Sequence, residues 1–516
     1  MSKQPDCYTN LVQRAKEASR LHSIASLLGW DQETYMPPGG ASARAEQAAL
    51  MARLHHEAST APELGELIAA CEADSALSSG DTPEAANIRE LRRDYDKLTK
   101  LPSDLVSALA ETTSQAQHAW KAAREGSDFA AFKPWLEKVL DLSRQKAQCL
   151  ADGKGELYDA LIDGYEPGAK AAEIEAVFVP LREKLSAMIM NIKDNGTPPK
   201  SDVLDRTVSA TKQEAFGSFV AEACGFDFTR GRLDVTTHPF CEGIAPGDTR
   251  LTTRYRESSW TDSLYGIMHE MGHGLYEQGL PEGEAHGRGD VPDQSGLPCG
   301  QAVSLGIHES QSRLWENAVG RSEAFWKWAL PHAKQMMGSV MDDQTPGSIA
   351  AAVNTAKPSL IRVEADEGTY NLHIMIRFEL ERALLSGDLS VADLPAAWND
   401  RYKEFLGLEV PNDREGCLQD VHWAFGLIGY FPTYTLGNLY GAQFWAAVRQ
   451  EIPSLDTLIA AGEFSPLLGW LRENIHTHGR RYTPDQLCER ATGKPVSDRP
   501  LLDYLTAKLY PVYGIS

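Results

Sequence analysis

The sequence predicts a mainly α-helical protein with one small antiparallel β-sheet. Apolar residues recur at helical spacing from one end of the 516-residue chain to the other. Clusters of Pro and Gly interrupt this pattern at intervals that are typical of connections between helices. The one stretch with strand-like alternation lies between residues 230 and 255. Together these features place the chain in the mainly helical class.

Six amphipathic helices are predicted in the first 200 residues, because apolar side chains three and four positions apart form one face that can pack on a core. Their ranges are 9–30, 41–58, 85–100, 104–125, 129–152 and 171–193. Met36-Pro37-Pro38-Gly39-Gly40 separates the first two helices, and Asn195-Gly196-Thr197-Pro198-Pro199 follows the last.

The strand-like region follows these helices. Residues 230–237 and 249–255 are rich in alternating Thr, Val, Arg and Leu, and Ile244-Ala245-Pro246-Gly247 between them is typical of a turn. We therefore expect a small antiparallel sheet next to the following helix. An exposed sheet edge can bind an extended peptide through main-chain hydrogen bonds, although a purely structural hairpin would give the same pattern.

The next predicted helix carries the pentapeptide His269-Glu270-Met271-Gly272-His273 and ends near Gly279. An HExxH sequence on a helix places two imidazoles one turn apart on the same face, where they can bind a zinc ion. Glu270 lies beside them and is suited to take a proton from an attacking water. The motif therefore predicts a hydrolytic metal site, with two ordinary hydrogen-bonded histidines as the alternative.

A catalytic zinc site needs a third protein ligand and leaves its fourth position to water. The extended HExxHxxGxxH pattern is absent, because Tyr276 stands where Gly is required. Residues 300–320 form another predicted helix, on which Glu309 is the preferred third ligand and His308 a neighbour. His286, in a Gly-rich loop, is the weaker alternative.

The charge balance limits the possible partners. The chain has 72 Asp and Glu against 50 Lys and Arg, a formal net charge of -22 at neutral pH. Such an acidic protein is disfavoured as a partner of nucleic acid or of an anionic membrane. No segment is long or biased enough to indicate an interdomain linker.

Compartment signals are absent from the sequence. The N-terminus lacks the apolar segment of a signal peptide, and no run of 18 apolar residues would span a bilayer. The eight cysteines are scattered singly, which is typical of free thiols in a reducing compartment. We therefore expect a cytoplasmic protein.

Six sequence blocks, with HEMGH among them, follow one another along the chain. They are His238-Pro239-Phe240, Asp248-Thr249-Arg250-Leu251-Thr252, HEMGH, His308-Glu309-Ser310-Gln311, Ile361-Arg362 through Ala365-Asp366, and Gly416 through Gln419-Asp420-Val421-His422-Trp423. Trp30-Asp31-Gln32-Glu33-Thr34 near the N-terminus belongs to the same set. With these blocks, the chain resembles the M32 metallocarboxypeptidases of the carboxypeptidase Taq type over nearly its whole length.

The resemblance implies a large helical, cleft-shaped fold like those of neurolysin and angiotensin-converting enzyme. It implies one peptidase domain over residues 1–516, with two helical lobes flanking a central cleft, and a homodimer. His269, His273 and Glu309 would bind one Zn²⁺ per chain, and Co²⁺ or another divalent ion would also suit this ligand set. Peptides with a free C-terminal carboxylate would lose single residues of broad type, with C-terminal proline disfavoured.

Hydrolysis also needs a donor for the negative charge that develops on the substrate oxygen. His422 and Tyr434 are suited to this role, because their spacing resembles the His and Tyr pair of relatives of angiotensin-converting enzyme. Tyr430 competes with Tyr434 for it. Asp420 lies two residues before His422 and is expected to fix the tautomer of its imidazole.

An exopeptidase must recognise the free carboxylate of its substrate, and a guanidinium can do so through two parallel hydrogen bonds. Arg362 is the preferred anchor, with an internal ion pair as the alternative explanation, and Arg250 is the next choice. His238 and Gln419 are expected to shape subsites or to orient other ligands.

Two other functions use the same motif. An endopeptidase or a dipeptidyl carboxypeptidase would also contain HExxH, and only the ordered blocks favour release of single residues. A non-catalytic zinc protein that binds peptides or acts as a scaffold is disfavoured by Glu270, because a structural zinc normally has four protein ligands and no adjacent base.

Overall fold

The fold is mainly helical, as predicted, with a single three-stranded sheet in the part of the chain that is described. The computed structural model describes residues 6–153, 155–282 and 292–515. The helices before the sheet are α1 Asp6–Thr34, α2 Ala41–Thr60, α3 Pro62–Ala73, α4 Ser75–Ser78, α5 Pro83–Thr99, α6 Ser103–Gly126, α7 Phe129–Leu150, α8 Leu157–Ile162, α9 Ala171–Asn195 and α10 Ala210–Ala223.

The sheet and the remaining helices complete the chain. The strands are β1 Gly231–Val235, β2 Cys241–Ala245 and β3 Asp248–Thr253. The later helices are α11 Trp260–Glu277, α12 Leu305–Arg313, α13 Glu323–Met337, α14 Pro346–Val353, α15 Tyr370–Ser386, α16 Leu394–Leu406, α17 Pro432–Glu451, α18 Leu455–Ala460, α19 Ser465–Asn474, α20 Pro484–Thr492 and α21 Arg499–Val512. All six helices predicted before residue 200 are present, with ends shifted by a few residues.

The helix predicted over residues 300–320 begins later and changes type. Ser304 caps α12, since its hydroxyl accepts a hydrogen bond from the Ile307 N–H at 3.0 Å. After α12, Leu314–Gly320 continues as a π-helix. π-Helical turns are uncommon and occur frequently at functional sites, because the wider turn redirects side chains.

The sheet is mixed, which corrects the prediction of an antiparallel sheet. Its strand order is β1-β3-β2, in which β3 pairs antiparallel with β2 and parallel with β1. Of the turn predicted over Ile244-Ala245-Pro246-Gly247, Pro246 and Gly247 form the turn, with a positive φ of 79° at Gly247, whereas Ile244 and Ala245 belong to β2. The sequence concealed β2, because Cys241–Ala245 lacks alternation and acquires strand structure through its pairing with β3.

Glycines allow α12 to lie very close to two other helices. A Cβ atom on Gly272 of α11 would come within 2.6 Å of the Gln311 carbonyl oxygen. On the other side, a Cβ on Gly437 of α17 would lie 2.7 Å from the Cβ of Glu309. The backbone of α12 is therefore held between α11 and α17, which determines where Glu309 lies.

Two groups of buried side chains form the core. The larger one extends from Ala116 to Tyr513 and surrounds α11, α12 and α17. The smaller one joins α1 to α3, α4 and α5 through residues such as Leu11 and Ile68. All eight cysteines are free thiols. Among the described helices, none combines the length and apolar character needed to cross a membrane.

Candidate active site

His269, His273 and Glu309 come together at the contact between α11 and α12. Their donor atoms lie within 4.8 Å of one another. The Glu309 Oε2 atom is 3.6 Å from His269 Nε2 and 3.5 Å from His273 Nε2. Because ligand atoms of a tetrahedral zinc site with bonds of about 2 Å lie roughly 3.3 Å apart, the three donors fit one metal ion with little adjustment.

The Nδ1 atom of His269 is bound by a second carboxylate. It lies 3.0 Å from Glu316 Oε2, and since a carboxylate only accepts, Nδ1 carries the proton and Nε2 is free to bind a metal. Arg321 donates to Glu316 Oε1 at 2.9 Å, while Arg313 donates to Glu309 Oε1 at 2.7 Å. The π-helix that follows α12 presents Glu316 to the imidazole.

His273 is oriented by a different chain of contacts. Its Nδ1 atom lies 2.5 Å from Nδ1 of His308, whose Nε2 lies 2.7 Å from Glu277 Oε1. One proton arrangement satisfies all three groups: His273 donates to His308, and His308 donates to Glu277. His308 is thus a neighbour of the metal donors, and Glu277 is the terminal acceptor.

The two histidines have opposite electrostatic environments. Burial lowers the pKa of His273 to about 3, and the adjacent His308 adds to this effect. Burial also acts to lower the pKa of His269, but Glu309 and the hydrogen bond to Glu316 outweigh it and raise the value to about 9. The carboxylates that hold a proton on His269 would equally attract a divalent cation, which would compete with that proton.

Glu270 is suited to accept a proton near neutral pH. Its side chain is buried beside His269 at the cleft surface. Burial raises the pKa of Glu270 to about 7, with Glu309 and Glu316 adding to the increase and His269 opposing it. A general base is most effective when its pKa lies close to the working pH.

A cleft of about 600 Å³ is lined by Glu270 and by two of the three metal-binding candidates, His269 and Glu309. Arg362, Tyr370 and Tyr434 are among the residues that line it. Tyr434 packs edge-on against Tyr370, with ring centroids 6.0 Å apart. Tyr430 contacts Tyr434 but is not among the described residues that line the cleft. Of the two competing tyrosines, Tyr434 therefore has the direct access.

His422 lies behind the cleft-lining Tyr434, and it does not have the hydrogen bond to Asp420 that was predicted for it. Its Nδ1 atom is 4.0 Å from Asp420 Oδ1, too far for a hydrogen bond, and has no hydrogen-bond partner among the described residues. The reason is that arginines occupy both oxygens of Asp420. Burial lowers the pKa of His422 to about 4, so its imidazole is neutral at pH 7.

Arg362 lines the cleft and also forms the internal ion pair that was considered as the alternative explanation for it. Its Nε and Nη2 atoms lie 2.9 and 2.8 Å from Asp420 Oδ1, and its Nη1 donates to the Tyr370 hydroxyl at 3.1 Å. Three of the five guanidinium N–H groups are thereby used. Two remain, enough to bind a carboxylate.

The other predicted substrate-binding residues have different positions. Arg250 donates twice to Asp248 at 2.8 Å and stacks on Trp30, and it is not among the described residues that line the metal cleft. His238 is exposed, one residue before the cleft-lining Pro239. Gln419 accepts hydrogen bonds from the main chain of Arg362 and from Arg377. His286 lies outside the described residues.

Three groups of this site were not identified from the sequence. Glu277 lies four residues after His273, and Glu316 lies seven residues after Glu309, so helical spacing was a usable signal for both. Tyr370 had no such signal, since it meets Arg362 only through the turn between them. Glu316 is the hydrogen-bond partner of His269, Glu277 that of His308, and Tyr370 that of Arg362.

Known proteins similar to this chain are metallocarboxypeptidases. The sequence model of the family described as carboxypeptidase Taq (M32) metallopeptidase matches residues 10–509. Thermostable carboxypeptidase 1 of Thermus thermophilus is 44% identical over 98% of this chain and 99% of its own length. Carboxypeptidase 1 of Bacillus subtilis is 35% identical over 96% and 97% of the two chains.

A solved structure is similar over the whole chain as well. The crystal structure of an M32 carboxypeptidase from Deinococcus radiodurans R1 has a TM-score of 0.93 and 42% sequence identity. The match covers 99% of this chain and 100% of that one. The similarity therefore extends to fold and sequence together.

Proposed function

Because this chain belongs to the carboxypeptidase Taq (M32) family of metallopeptidases, we propose that it releases single residues from the free C-terminal ends of peptides. Membership makes it a carboxypeptidase, a metal-dependent hydrolase of peptide bonds. The observation that carries the finer proposal is one cleft that is lined by His269 and Glu309 of the metal-binding group, by the buried Glu270 and by Arg362, two of whose N–H groups remain for a substrate.

We propose that His269, His273 and Glu309 bind a zinc ion, supported by their two imidazoles, one carboxylate and short mutual distances. Zinc in such a site supplies a Lewis acid that acidifies water and polarises the scissile carbonyl. Glu270 accepts the proton of the attacking water and returns it to the leaving amine, for which its raised pKa is suited.

Tyr434 donates a hydrogen bond from its hydroxyl to the oxygen on which negative charge develops. Its place on the cleft wall supports this role, and burial raises its pKa, so that the hydroxyl stays protonated at neutral pH. His422, a neutral imidazole whose ring centroid lies 4.5 Å from that of Phe431 and 6.4 Å from that of Tyr434, is proposed as a second donor.

Arg362 binds the C-terminal carboxylate of the substrate. A guanidinium keeps its charge at all physiological pH values, and the two N–H groups that remain free match two carboxylate oxygens. Arg250 is the less suited choice, since Asp248 already binds it through two hydrogen bonds. The position of Arg362 in the cleft accounts for exopeptidase action, because cleavage must then occur at a fixed distance from the chain end.

The substrate residues that precede the cleaved bond are proposed to lie along β2. A second cavity of about 440 Å³ separates α1 from the β2–β3 hairpin, and Glu277 lines it. The metal cleft follows the N-terminal half of α11, whereas this cavity lies at its C-terminal end. A peptide anchored at Arg362 would extend past the metal toward the free edge of β2, where main-chain hydrogen bonds can hold it.

Other properties are carried over as proposals from the family resemblance. They are a broad preference for the released residue with proline disfavoured, a homodimer, and a single domain of two lobes over residues 1–516. A cytoplasmic location is proposed from the singly scattered cysteines. The negative net charge is consistent with a protein that does not bind nucleic acid.

Matched peptides with free and amidated C-termini test the proposed function. The zinc-loaded enzyme should shorten the free acid one residue at a time and leave the amide intact, as followed by mass spectrometry. Arg362→Ala should raise KM for the free acid roughly 10-fold to 100-fold, since a charged hydrogen-bonded pair is lost, whereas Arg250→Ala should leave KM unchanged. Equal cutting of both peptides would indicate an endopeptidase and overturn the proposal.

A further inference from the structure

Arg377 is a cation buried directly behind the carboxylate anchor. Its side chain is fully buried on α15 and does not line the metal cleft. Its Nε and Nη2 atoms lie 2.7 and 2.6 Å from Asp420 Oδ2, while Arg362 binds the opposite oxygen of the same carboxylate. Arg377 can therefore influence a substrate only through Asp420 and Arg362.

The charges of this cluster do not cancel. Asp420 contributes one negative charge and the two arginines contribute two positive charges, which leaves a net charge of about one at the cleft wall. Burial lowers the pKa of both His373 and His422, so neither imidazole adds a positive charge at neutral pH. The surplus charge is available to a substrate carboxylate at Arg362, the only one of the three groups that lines the cleft.

Without Arg377, Asp420 would neutralise Arg362. Both oxygens of Asp420 would then be available to the Arg362 guanidinium. The two N–H groups that are otherwise left for substrate could bind them instead. In a buried site of low effective dielectric, such a pair attracts a further anion weakly.

Arg377 is itself held in a fixed orientation. It donates to the His373 carbonyl oxygen at 2.7 Å and to Gln419 Oε1 at 2.8 Å, and it stacks over Trp398. Gln419 Oε1 also accepts the main-chain N–H of Arg362 at 2.9 Å. One amide oxygen thus couples the positions of both arginines, in addition to the shared carboxylate.

We propose that Arg377 is a positioning residue for recognition of the substrate carboxylate, which acts by balancing Asp420 so that Arg362 keeps a net positive charge and two free N–H groups. This inference rests on the proposed role of Arg362 as the anchor. It predicts an effect on the binding of ligands with a C-terminal carboxylate and none on ligands without one.

Steady-state kinetics with the zinc-loaded enzyme test this role. Arg377→Met should raise KM for free-acid peptides roughly 10-fold to 100-fold, as expected when a charged hydrogen-bonded contact is weakened, while kcat changes much less. Inhibition by acetohydroxamate, which binds the metal without a C-terminal carboxylate, should be unchanged. Arg382→Met is the matched control on the same helix, because Arg382 forms ion pairs with Glu156 and Glu175 near the surface.

A double substitution separates charge balance from simple structural support. Arg377→Met combined with Asp420→Asn removes one positive and one negative charge, so the net charge at Arg362 returns to about one. The KM of the double variant should fall back toward that of the wild type, and Arg377→Lys should be intermediate. A double variant as impaired as Arg377→Met, or more so, would overturn the inference.

The two proposals fail in different ways. If Arg362→Ala leaves KM for free acids unchanged, the anchor is another residue and the proposed function is affected. If Arg362→Ala raises KM and Arg377→Met does not, only the inference about Arg377 is wrong. A parallel loss of kcat, zinc content and Tm in Arg377→Met, without rescue in the double variant, would assign Arg377 a purely structural role.

Discussion

The chemistry of Glu270 depends on its surroundings. The same burial that raises its pKa to about 7 places it next to His269 in the cleft. Exchange for Gln keeps the shape of the side chain and removes the base. We expect this single change to separate catalysis from metal binding.

The first prediction concerns Glu270→Gln. Loss of the general base should reduce kcat roughly 100-fold to 10,000-fold, because proton transfer then has no positioned acceptor. Zinc content, measured by atomic absorption, and Tm should match the wild type, since Glu270 is not one of the three donors. Full hydrolytic activity in this variant would refute the proposed mechanism.

The second prediction concerns Glu316, which binds the Nδ1 side of His269. Glu316→Gln should weaken zinc binding by about 10-fold to 100-fold, because the imidazole loses its charged partner and becomes a poorer donor. Competition with a chromogenic chelator measures this affinity. Glu323→Gln, an exposed change on α13 that affects only the pair with Lys327, is the control. Equal zinc affinity in both variants would exclude the role assigned to Glu316.

At the level of elements, the site depends on how closely α12 approaches its two neighbours. Gly272 of HEMGH lies against the backbone of α12, and Gly437 lies against Glu309 from the opposite side. Gly272 is therefore needed for the close packing of α11 on α12, whereas the two histidines and the glutamate of the motif are the candidates for chemistry. The mutual positions of His269, His273 and Glu309 follow from this packing.

The third prediction compares two glycines of α11. Gly272→Ala should destabilise the protein by roughly 1–3 kcal/mol and weaken zinc binding, because its Cβ would overlap the backbone of residues 311 and 312. Gly266→Ala meets only Thr253 Oγ1 at 3.7 Å and should raise stability by about 0.5–1 kcal/mol through better helix propensity. Calorimetry measures the Tm of both variants. A Gly272→Ala variant with the Tm of the wild type would contradict this account of how α12 packs.

At the level of the whole molecule, buried polar groups connect segments that are distant in sequence. Glu166 accepts hydrogen bonds from Ser304 and Gly306 at the start of α12 and from Tyr440 of α17. Tyr440 also contacts Asp485 of α20. Four separate segments thus meet around one carboxyl group that is completely shielded from water.

The fourth prediction is a pH dependence of stability. Burial raises the pKa of Glu166 from 4.5 to about 8, against the opposing hydrogen bond from Gly306. The folded protein therefore keeps a proton that the unfolded chain releases, so this contribution is fully present below pH 4.5 and is lost as pH rises through 8. Between these two pH values, each pH unit lowers the free energy of unfolding by up to about 1.4 kcal/mol.

Glu166→Gln removes this titration. Because Gln cannot ionise, the Tm of the variant should fall less between pH 5 and pH 9 than the Tm of the wild type, measured by differential scanning calorimetry. Other titrating groups are common to both proteins and cancel in the comparison. Parallel Tm curves would show that Glu166 does not titrate in this range.

The sequence by itself determined the features that depend on local spacing. The helical pattern predicted the fold class, and HExxH brought His269, Glu270 and His273 onto one face because a helix repeats every 3.6 residues. The structure adds Glu309 on a second helix, as the sequence proposed. Arg362 was identifiable as a carboxylate-binding candidate from its chemistry and from the resemblance.

Only the tertiary structure decided which distant residues meet. Strand β2 forms by pairing with β3, so its lack of alternation hid it and the sheet became mixed. Asp420, adjacent to His422 in sequence, instead binds Arg362 and Arg377, since opposite charges pair strongly where water is excluded. Such contacts depend on which groups share a buried volume, and one-dimensional spacing contains no information about that volume.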